Sequence, residues 1–374
     1  MSASGVRRAS AAIAVLAAAG LALLAIPLEH GTTDASAPVQ VTAPVVAPPP
    51  PPPPAVPLAP QQIAERVIPT IVTITTRSAF GATAGTGIVL RPTDSAAVVL
   101  TNHHVIDGGL EISAKSMRDG TPYPAEVLGY DNSRDLAVLR LPGAAALPPA
   151  VLGSSQTARV GDPVTAIGNA EGGGVPQSAP GAVTKLGVTV LTRNSADGSR
   201  NELAGLIEVN ADVRPGDSGG PLVNAFGEVI GVSSAGNAVE RDTPSAPAPQ
   251  SYAIPIDSAM GVVDQILAGR TSDSVHIGPT PQLGVSVRDH IDAQAGTPSG
   301  AQVVLVSVRS PAEGLGLLRG DVIVEFDGAA IRTAADLTLR MIARHPGDRV
   351  DVRWVDAAGA QRMGSMVLTE GPPR

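Results

Sequence analysis

Short apolar runs separated by turn residues dominate the chain from Val67 onward and limit what it can fold into. The runs Ile71–Ile74, Gly87–Leu90 and Leu136–Leu139 are about strand length, and Gly, Pro, Asn or Asp separates them from their neighbours. Runs of this length and spacing are typical of an all-β barrel or sandwich. The chain has one Trp, three Tyr and three Phe, so its core must be built mainly from Val, Ile, Leu and Ala.

The composition excludes several classes of protein. With 43% hydrophobic and 16% charged residues, the chain is too apolar to be disordered throughout. A net charge of −8 argues against a broad nucleic-acid-binding surface. The absence of cysteine excludes disulfides, a thiol nucleophile and a thiolate metal site.

The N-terminus carries an apolar segment. Residues 1–10 include two arginines, and the apolar run 11–28 that follows them would form a helix of about 27 Å. This nearly spans a hydrocarbon core of about 30 Å. We predict an uncleaved transmembrane anchor with residues 1–10 in the cytoplasm. A signal peptide cleaved after Ala37 and a buried soluble helix are the alternatives.

Residues 38–60 form a proline-rich tether. They contain eleven prolines, seven of them consecutive, and such a sequence is extended and cannot pack a core. At full extension it would reach roughly 70 Å. We predict a spacer that holds a domain away from a membrane, with a ligand for an SH3-like partner as the competing interpretation.

Two helices and a domain boundary are predicted in the C-terminal half. Apolar spacing favours a helix over Asp257–Leu267, capped by Asp257 or Ser258. A second helix is predicted over Thr333–Ala343, with Thr333 as its N-cap. The polar, proline-containing stretch 270–281 predicts a boundary between two folded units.

The segment Gly216–Leu222, with the sequence GDSGGPL, carries the strongest chemical signal. A serine hydroxyl is a nucleophile only when a base removes its proton and donors stabilise the resulting oxyanion. The glycines allow the backbone to turn sharply around Ser218, so that the amides of Gly216 and Ser218 point into one hole. Ser218 is therefore the candidate nucleophile.

Two upstream segments supply the remaining groups of an acyl-transfer triad. The sequence TNHHVI, residues 101–106, offers an imidazole, and Asp135 precedes the apolar run Leu136–Leu139. A triad needs a nucleophile, a base and a carboxylate that fixes the tautomer of the base.

Six short motifs follow one another between residues 61 and 270. They are Gly85–Val89, Thr101–Ile106, Asp135–Leu141, Ala166–Asn169, Gly216–Leu222 and Glu228–Val232. In order and spacing they resemble the HtrA/Deg family of trypsin-like serine proteases, and the N-terminus and tether resemble those of membrane-anchored or secreted, notably mycobacterial, members. The resemblance implies a mainly β fold: a chymotrypsin-like double β-barrel over residues 61–270, followed by a small α/β PDZ domain over 280–370.

The resemblance assigns roles to individual residues. His104 matches the family's base, Asp135 its orienting carboxylate and Ser218 its nucleophile. Because adjacent residues on a strand point to opposite faces, we expect His103 to point away from Ser218 as a partly exposed side chain. A role of His103 as a metal ligand is the alternative.

Substrate specificity is less defined. Asp212, six residues before the nucleophile, would favour Arg or Lys at P1, whereas proteases of this family usually resemble enzymes that cut after small apolar residues. We predict that the segment beginning with Val232, Ser233 and Ser234 forms one wall of the pocket. Asp217 departs from the family's commoner GNSGG sequence, and its partner is left open.

The C-terminal unit resembles a PDZ domain. Gln282, Leu283, Gly284 and Val285 fit its carboxylate-binding loop, whose amides would bind a peptide's C-terminus while the peptide adds as a strand. Ser310–Ala312 and Arg319–Val324 match the family's turn and strand.

The sequence as a whole predicts an extracytoplasmic serine endoprotease of the cell envelope, with secretion as the alternative. We expect misfolded or regulatory polypeptides as substrates and C-terminal peptides as ligands, as in proteases of protein quality control and stress response. We predict no metal, cofactor or nucleic acid. The family commonly forms trimers through aromatic residues near the start of the protease domain, where this chain has only Phe80, so a homo-oligomer is left open. A proteolytically inactive PDZ receptor or chaperone and a zinc site at His103 and His104 are the rival functions.

Overall fold

The computed structural model describes residues 56–78, 81–193, 200–236 and 249–373. The predicted anchor, nearly all of the tether, and Phe80 lie outside these residues. Within the described ranges, no helix has both the length and the apolar character needed to cross a bilayer.

A short helix, α1 (Pro60–Val67), opens the described fold, followed by a 3₁₀ turn at Ile68–Thr70. The last tether proline is thus the first residue of a helix, a position at which its missing N–H costs nothing. Seven strands and a one-turn helix follow: β1 Ile71–Ser78, β2 Gly81–Pro92, β3 Ala96–Thr101, α2 His103–Ile106, β4 Glu111–Ser116, β5 Pro122–Pro124, β6 Glu126–Asp131 and β7 Leu136–Pro142.

The next strands close into an antiparallel barrel in the order β10-β13-β12-β11-β8-β9. Their bounds are β8 Pro163–Gly168, β9 Gln177–Arg193, β10 Arg200–Val209, β11 Pro221–Asn224, β12 Val229–Gly236 and β13 Ser251–Pro255. Short 3₁₀ turns occupy Ser155–Thr157 and Ala170–Gly172.

The helix predicted after the barrel is confirmed as α3 (Ile256–Leu267), but its predicted cap is wrong. The residue before the helix is Pro255, which has no side chain able to cap it. The Asp257 carboxylate instead accepts hydrogen bonds from the hydroxyls of Ser154 and Ser155, at 3.0 and 2.7 Å.

The stretch predicted as a boundary contains a strand, β14 (Val275–Ile277), that pairs with β6. It completes an eight-stranded sheet in the order β14-β6-β7-β3-β2-β1-β4-β5. In this register His276 lies opposite Tyr130, and Ile277 lies opposite Gly129. The segment between the two units is therefore part of the first sheet.

The C-terminal unit is a small α/β domain. Its elements are β15 Thr280–Gln282, β16 Val285–Ile291, β17 Pro298–Val306, α4 Pro311–Leu315, β18 Val322–Phe326, β19 Ala329–Ala330, α5 Ala334–Ile342, β20 Arg349–Val355, β21 Gln361–Val367 and β22 Thr369–Gly371. The main sheet has the order β16-β17-β18-β20-β21, and β15 pairs with β22. The predicted cap of α5 is confirmed, since Thr333 and Asp336 form a capping box.

The cores are aliphatic, as the composition predicts. Around the two β-structures of the protease-like region, the buried hydrophobic side chains are Val, Ile, Leu and Ala, with Tyr130 and Tyr252 as the aromatic members within the described ranges. One of these clusters joins strands of both β-structures and α3. The core of the C-terminal unit includes Phe326 and Trp354.

The packing of β14 against β6 is predicted to require Gly129. A Cβ atom at this position would lie 2.6 Å from the backbone oxygen of His276 and 3.0 Å from Cγ2 of Ile266. We expect Gly129→Ala to lower the free energy of unfolding by about 1–3 kcal/mol, because the strand must shift. Thermal unfolding measures this loss.

Gly261, in α3, provides the matched control. Apart from its chain neighbours and the backbone of α3 itself, no described atom lies within 4 Å of a Cβ placed there, so Gly261→Ala should be neutral or stabilise by about 0.5–1 kcal/mol. An equal change in melting temperature for both variants would contradict the close approach of β14.

Candidate active site

The three residues predicted as a triad come from separate elements that meet between the two β-structures. His104 lies on α2, directly after β3, and Asp135 lies in the turn between β6 and β7. Ser218 lies in the turn before β11. The Asn102 side chain ties two of these segments together, because its Nδ2 donates to the Asp135 backbone oxygen at 2.8 Å.

The Asp135 carboxylate accepts hydrogen bonds from both sides of the site. His104 donates from its backbone N to Oδ1 at 2.9 Å, and its Nδ1 lies 2.8 Å from Oδ2. Ser234, on β12, donates from Oγ to Oδ2 at 2.7 Å. Because an ionised carboxylate only accepts, Nδ1 carries the proton and Nε2 of His104 is left as the basic nitrogen.

This pairing shifts both pKa values. The His104 side chain is 47% exposed, and the partial loss of hydration of its ring opposes the charged form, but the attraction and hydrogen bond of Asp135 outweigh this loss and raise the pKa of His104. Burial also opposes the charged form of Asp135. The attraction of His104 and the hydrogen bonds from His104 and Ser234 outweigh it and lower the pKa of Asp135.

The turn around Ser218 depends on two glycines with positive φ. Gly216 has φ +101°, and a Cβ there would overlap the backbone oxygen of Asn169. Gly219 has φ +84°, and a Cβ there would overlap the backbone oxygen of Thr86. These close approaches explain why glycine stands at both positions of the motif.

The Ser218 hydroxyl and the neighbouring amides at this turn make no hydrogen bond to His104 among the described residues. Ser218 Oγ donates to the backbone oxygen of Ser234 at 3.3 Å and, among the described residues, makes no hydrogen bond to His104. The amides of Gly216 and Ser218 likewise make no hydrogen bond within the described part of the chain. They are available as donors, and the Gly216 carbonyl is fixed by a 2.8 Å bond from Thr86 Oγ1.

Asp217, whose role the sequence left open, is buried with an exposed fraction of 4%. Its Oδ2 accepts a hydrogen bond from the Arg214 amide at 2.9 Å. Its Oδ1 has no hydrogen-bond partner among the described residues. Burial raises the pKa of Asp217 above its ordinary value.

The residues predicted to shape a specificity pocket have other contacts. The Asp212 carboxylate lies 3.1 Å from Nη2 of Arg214, and Nη1 of the same arginine pairs with Glu171 at 2.9 Å. The Val232 side chain is completely buried in the core, so only the backbone of this residue could contribute to the predicted pocket wall. Ser233 is buried too, and the Ser234 hydroxyl is committed to Asp135.

The expectation that His103 is partly exposed is wrong. Its exposed fraction is 3%, its ring centroid lies 4.7 Å from that of Tyr130, and burial lowers its pKa. The physical reason is that the chain leaves β3 at Asn102 and turns into α2, so strand alternation does not apply. No group of three potential metal ligands is found among the residues that the structure describes.

The four residues predicted to bind a peptide carboxylate lead into the edge strand β16. Leu283 O and Gly284 O accept hydrogen bonds from Ala312 N and Ser307 N, which fixes the loop. Gly284 has φ +82°, and a Cβ there would overlap the Ser310 side chain. Gln282 and Val285 flank these residues, and all four line a cavity of about 160 Å³ between β16 and α5.

Known proteins match both units of the chain. The trypsin-like peptidase domain matches residues 85–232, and the PDZ domain matches residues 281–355. The serine endoprotease from Yersinia pestis, a solved structure, is 25% identical and has a TM-score of 0.45, with 84% of this chain and 99% of that chain covered.

Curated relatives extend the similarity across both units. The putative serine protease HhoA of Synechocystis is 34% identical over 68% of this chain and 62% of its own length. Serine protease PepD of Mycobacterium tuberculosis is 30% identical over 82% of this chain and 65% of its own length. The probable periplasmic serine endoprotease DegP-like of Halomonas elongata is 35% identical over 68% of this chain and 50% of its own length.

The chain thus spans less than two thirds of the length of these relatives. It carries a trypsin-like peptidase domain followed by a PDZ domain, and its curated homologues include serine proteases of the HtrA and DegP-like kinds.

Proposed function

We propose that the protein is a serine endoprotease that works through Ser218, His104 and Asp135. The observation that carries the proposal is the imidazole held by Asp135 beside a GDSGG turn in which the amides of Gly216 and Ser218 make no hydrogen bond among the described residues. The naming of the curated relatives as serine proteases supports it.

The mechanism follows from which groups can donate and accept protons. Ser218 Oγ turns from the Ser234 carbonyl toward Nε2 of His104, which takes its proton as the oxygen attacks a peptide carbonyl. The amides of Gly216 and Ser218 stabilise the oxyanion. His104 then gives the proton to the leaving amine, and a water molecule hydrolyses the acyl-enzyme by the same route.

Polypeptides outside the cytoplasm are the proposed substrates. The N-terminal segment predicted as an anchor, and the periplasmic location in the name of one relative, support an extracytoplasmic, envelope-associated role. We infer misfolded or regulatory proteins as substrates, and C-terminal peptides as ligands of Gln282–Val285.

Cleavage after apolar residues is the proposed P1 preference. The Asp212 carboxylate is already compensated by Arg214, which removes the charge that would attract a basic side chain. The alternative preference for Arg or Lys at P1 requires this pair to open.

Replacing the nucleophile tests the proposal. We expect Ser218→Ala to lower kcat for peptide hydrolysis on the order of 10⁶-fold with an unchanged melting temperature. Ser154→Ala, whose hydroxyl bonds Asp257, is the matched control and should remain active. Profiling of new N-termini in a digested proteome measures both activity and P1 preference.

The same experiment distinguishes a serine endoprotease from the rival function, an inactive PDZ receptor. Equal hydrolysis by wild type and Ser218→Ala, or failure of wild type to react with a fluorophosphonate serine probe, would favour an inactive PDZ receptor. New N-termini that follow only Arg or Lys would overturn the apolar P1 preference without affecting the triad.

The pH dependence of hydrolysis tests the pairing of His104 with Asp135. Only neutral His104 accepts the Ser218 proton, and its pKa is raised, so kcat/KM should fall as pH decreases through a pKa above the ordinary histidine value. Asp135→Asn should lower kcat by about 10⁴-fold and move the residual acid limb to lower pH. An acid limb at the same pH in both proteins would contradict the assignment.

Asp217 is predicted to lower stability at neutral pH. Because its folded pKa is raised, the folded protein retains a proton that the unfolded chain releases, and stability falls as pH rises through that interval. We expect Asp217→Asn to raise the melting temperature at pH 7 by about 2–4 °C. This gain should shrink as the pH approaches about 4.

Asp336→Asn is the control, because its expected change in melting temperature is opposite to that of Asp217→Asn. Backbone hydrogen bonds, first of all from Arg332, lower the pKa of Asp336, so the ionised form stabilises the fold at neutral pH. Its substitution should lower the melting temperature at pH 7. A rise for both variants would show that general charge reduction is responsible.

A further inference from the structure

The peptide groove of the PDZ domain has one residue in its lining that belongs to the protease domain. The groove lies between β16 and α5, and Tyr130, from β6, lines the same cavity. β16 pairs only with β17 among the described strands, so its other edge is open for an added peptide strand. A ligand in this groove would therefore contact both domains.

Tyr130 is held in the groove by contacts with two histidine rings and by one hydrogen bond. The His103 ring centroid lies 4.7 Å away on the protease side, and the His276 ring centroid lies 5.2 Å away on the side of β14. Thr280 Oγ1 donates to the phenol oxygen at 3.3 Å. With an exposed fraction of 3%, the ring has little freedom to withdraw.

The C-terminal end of α5 is tied to the same strand. His276 Nδ1 lies 2.8 Å from the backbone oxygen of Ile342, the last residue of α5. In the opposite direction along the chain, His345, which follows α5, has its Nε2 3.2 Å from the backbone oxygen of Ile277 in β14. These two bonds fix the distance between the groove wall and the protease sheet.

The end of the groove that contains Tyr130 is the end that would receive a peptide's last side chain. The loop residues Gln282–Gly284 and the α5 residue Ile342 line the same cavity as Tyr130. Tyr130 accepts a hydrogen bond from Thr280, two residues before this loop, and its ring contacts His276, which bonds the Ile342 backbone oxygen. If the loop amides hold the terminal carboxylate, the last side chain enters the apolar space between Leu283, Met341 and the phenol ring.

We propose that Tyr130 is a specificity-determining residue of the peptide groove, closing it beneath the last side chain of a ligand. This rests on the proposed capture of C-terminal peptides by Gln282–Val285. The expected ligand is a peptide with a free carboxylate and a small or medium apolar last residue, such as Val. The phenol ring occupies the space that a Phe side chain would need.

Peptide binding by the full chain carrying Ser218→Ala tests this proposal. The probes are fluorescent peptides that end in Val or Phe, each with a free or an amidated C-terminus, and anisotropy gives their Kd values. In the parent, the free Val peptide should bind more tightly than the Phe peptide. Tyr130→Leu should shift the ratio of the two Kd values toward Phe by about 10-fold. Tyr123→Leu, at a protease tyrosine outside the cavity, should leave the ratio unchanged.

A second variant covers the case in which Tyr130→Leu does not fold. Tyr130→Phe keeps the ring contacts and removes only the hydroxyl, and it should shift the ratio roughly 3-fold in the same direction. An unchanged ratio in a folded Tyr130 variant, with binding that still requires a free carboxylate, overturns the role of Tyr130 alone. Equal binding of free and amidated peptides by the parent, or no binding at all, overturns the proposed carboxylate capture as well.

Discussion

The Asp135 carboxylate is the interaction on which the site depends, because it connects the two β-structures. Its donors come from α2 of the first sheet and from β12 of the closed barrel. One buried anion thus fixes the imidazole and the position of the barrel strand that lies beside Ser218. The cost of burying this charge is offset by the hydrogen bonds and by the attraction of His104.

Much of the fold and site was predictable because the relevant signals are local. The GDSGG turn requires glycine where the backbone passes close to Thr86 and Asn169, and that requirement is visible in the sequence. The cap of α5 is likewise a local pattern, confirmed by the Thr333–Asp336 pair. The mainly β architecture follows from short apolar runs and turn residues, and it is also confirmed.

The features that sequence reasoning missed depend on distant contacts. His103 was expected at the surface because a strand was assumed to continue through it, whereas α2 begins there and Tyr130 covers its ring. The hydrogen bond from the Ser234 hydroxyl to Asp135 had no sequence signal either, because the two residues are far apart in the chain. The polar linker gives no sequence signal that β14 pairs with β6. Gly129 is a related feature, because a side chain at this position would collide with β14.

The bond between Thr280 and Tyr130 bears on how such proteins are divided for study. A fragment that begins near residue 280 retains the whole PDZ sheet and α5, yet it lacks the aromatic ring at the end of the groove. A ligand profile measured on such a fragment would describe a deeper pocket than that of the intact chain. For the same reason, exchanging the PDZ domain of this chain would leave Tyr130 behind in the protease domain.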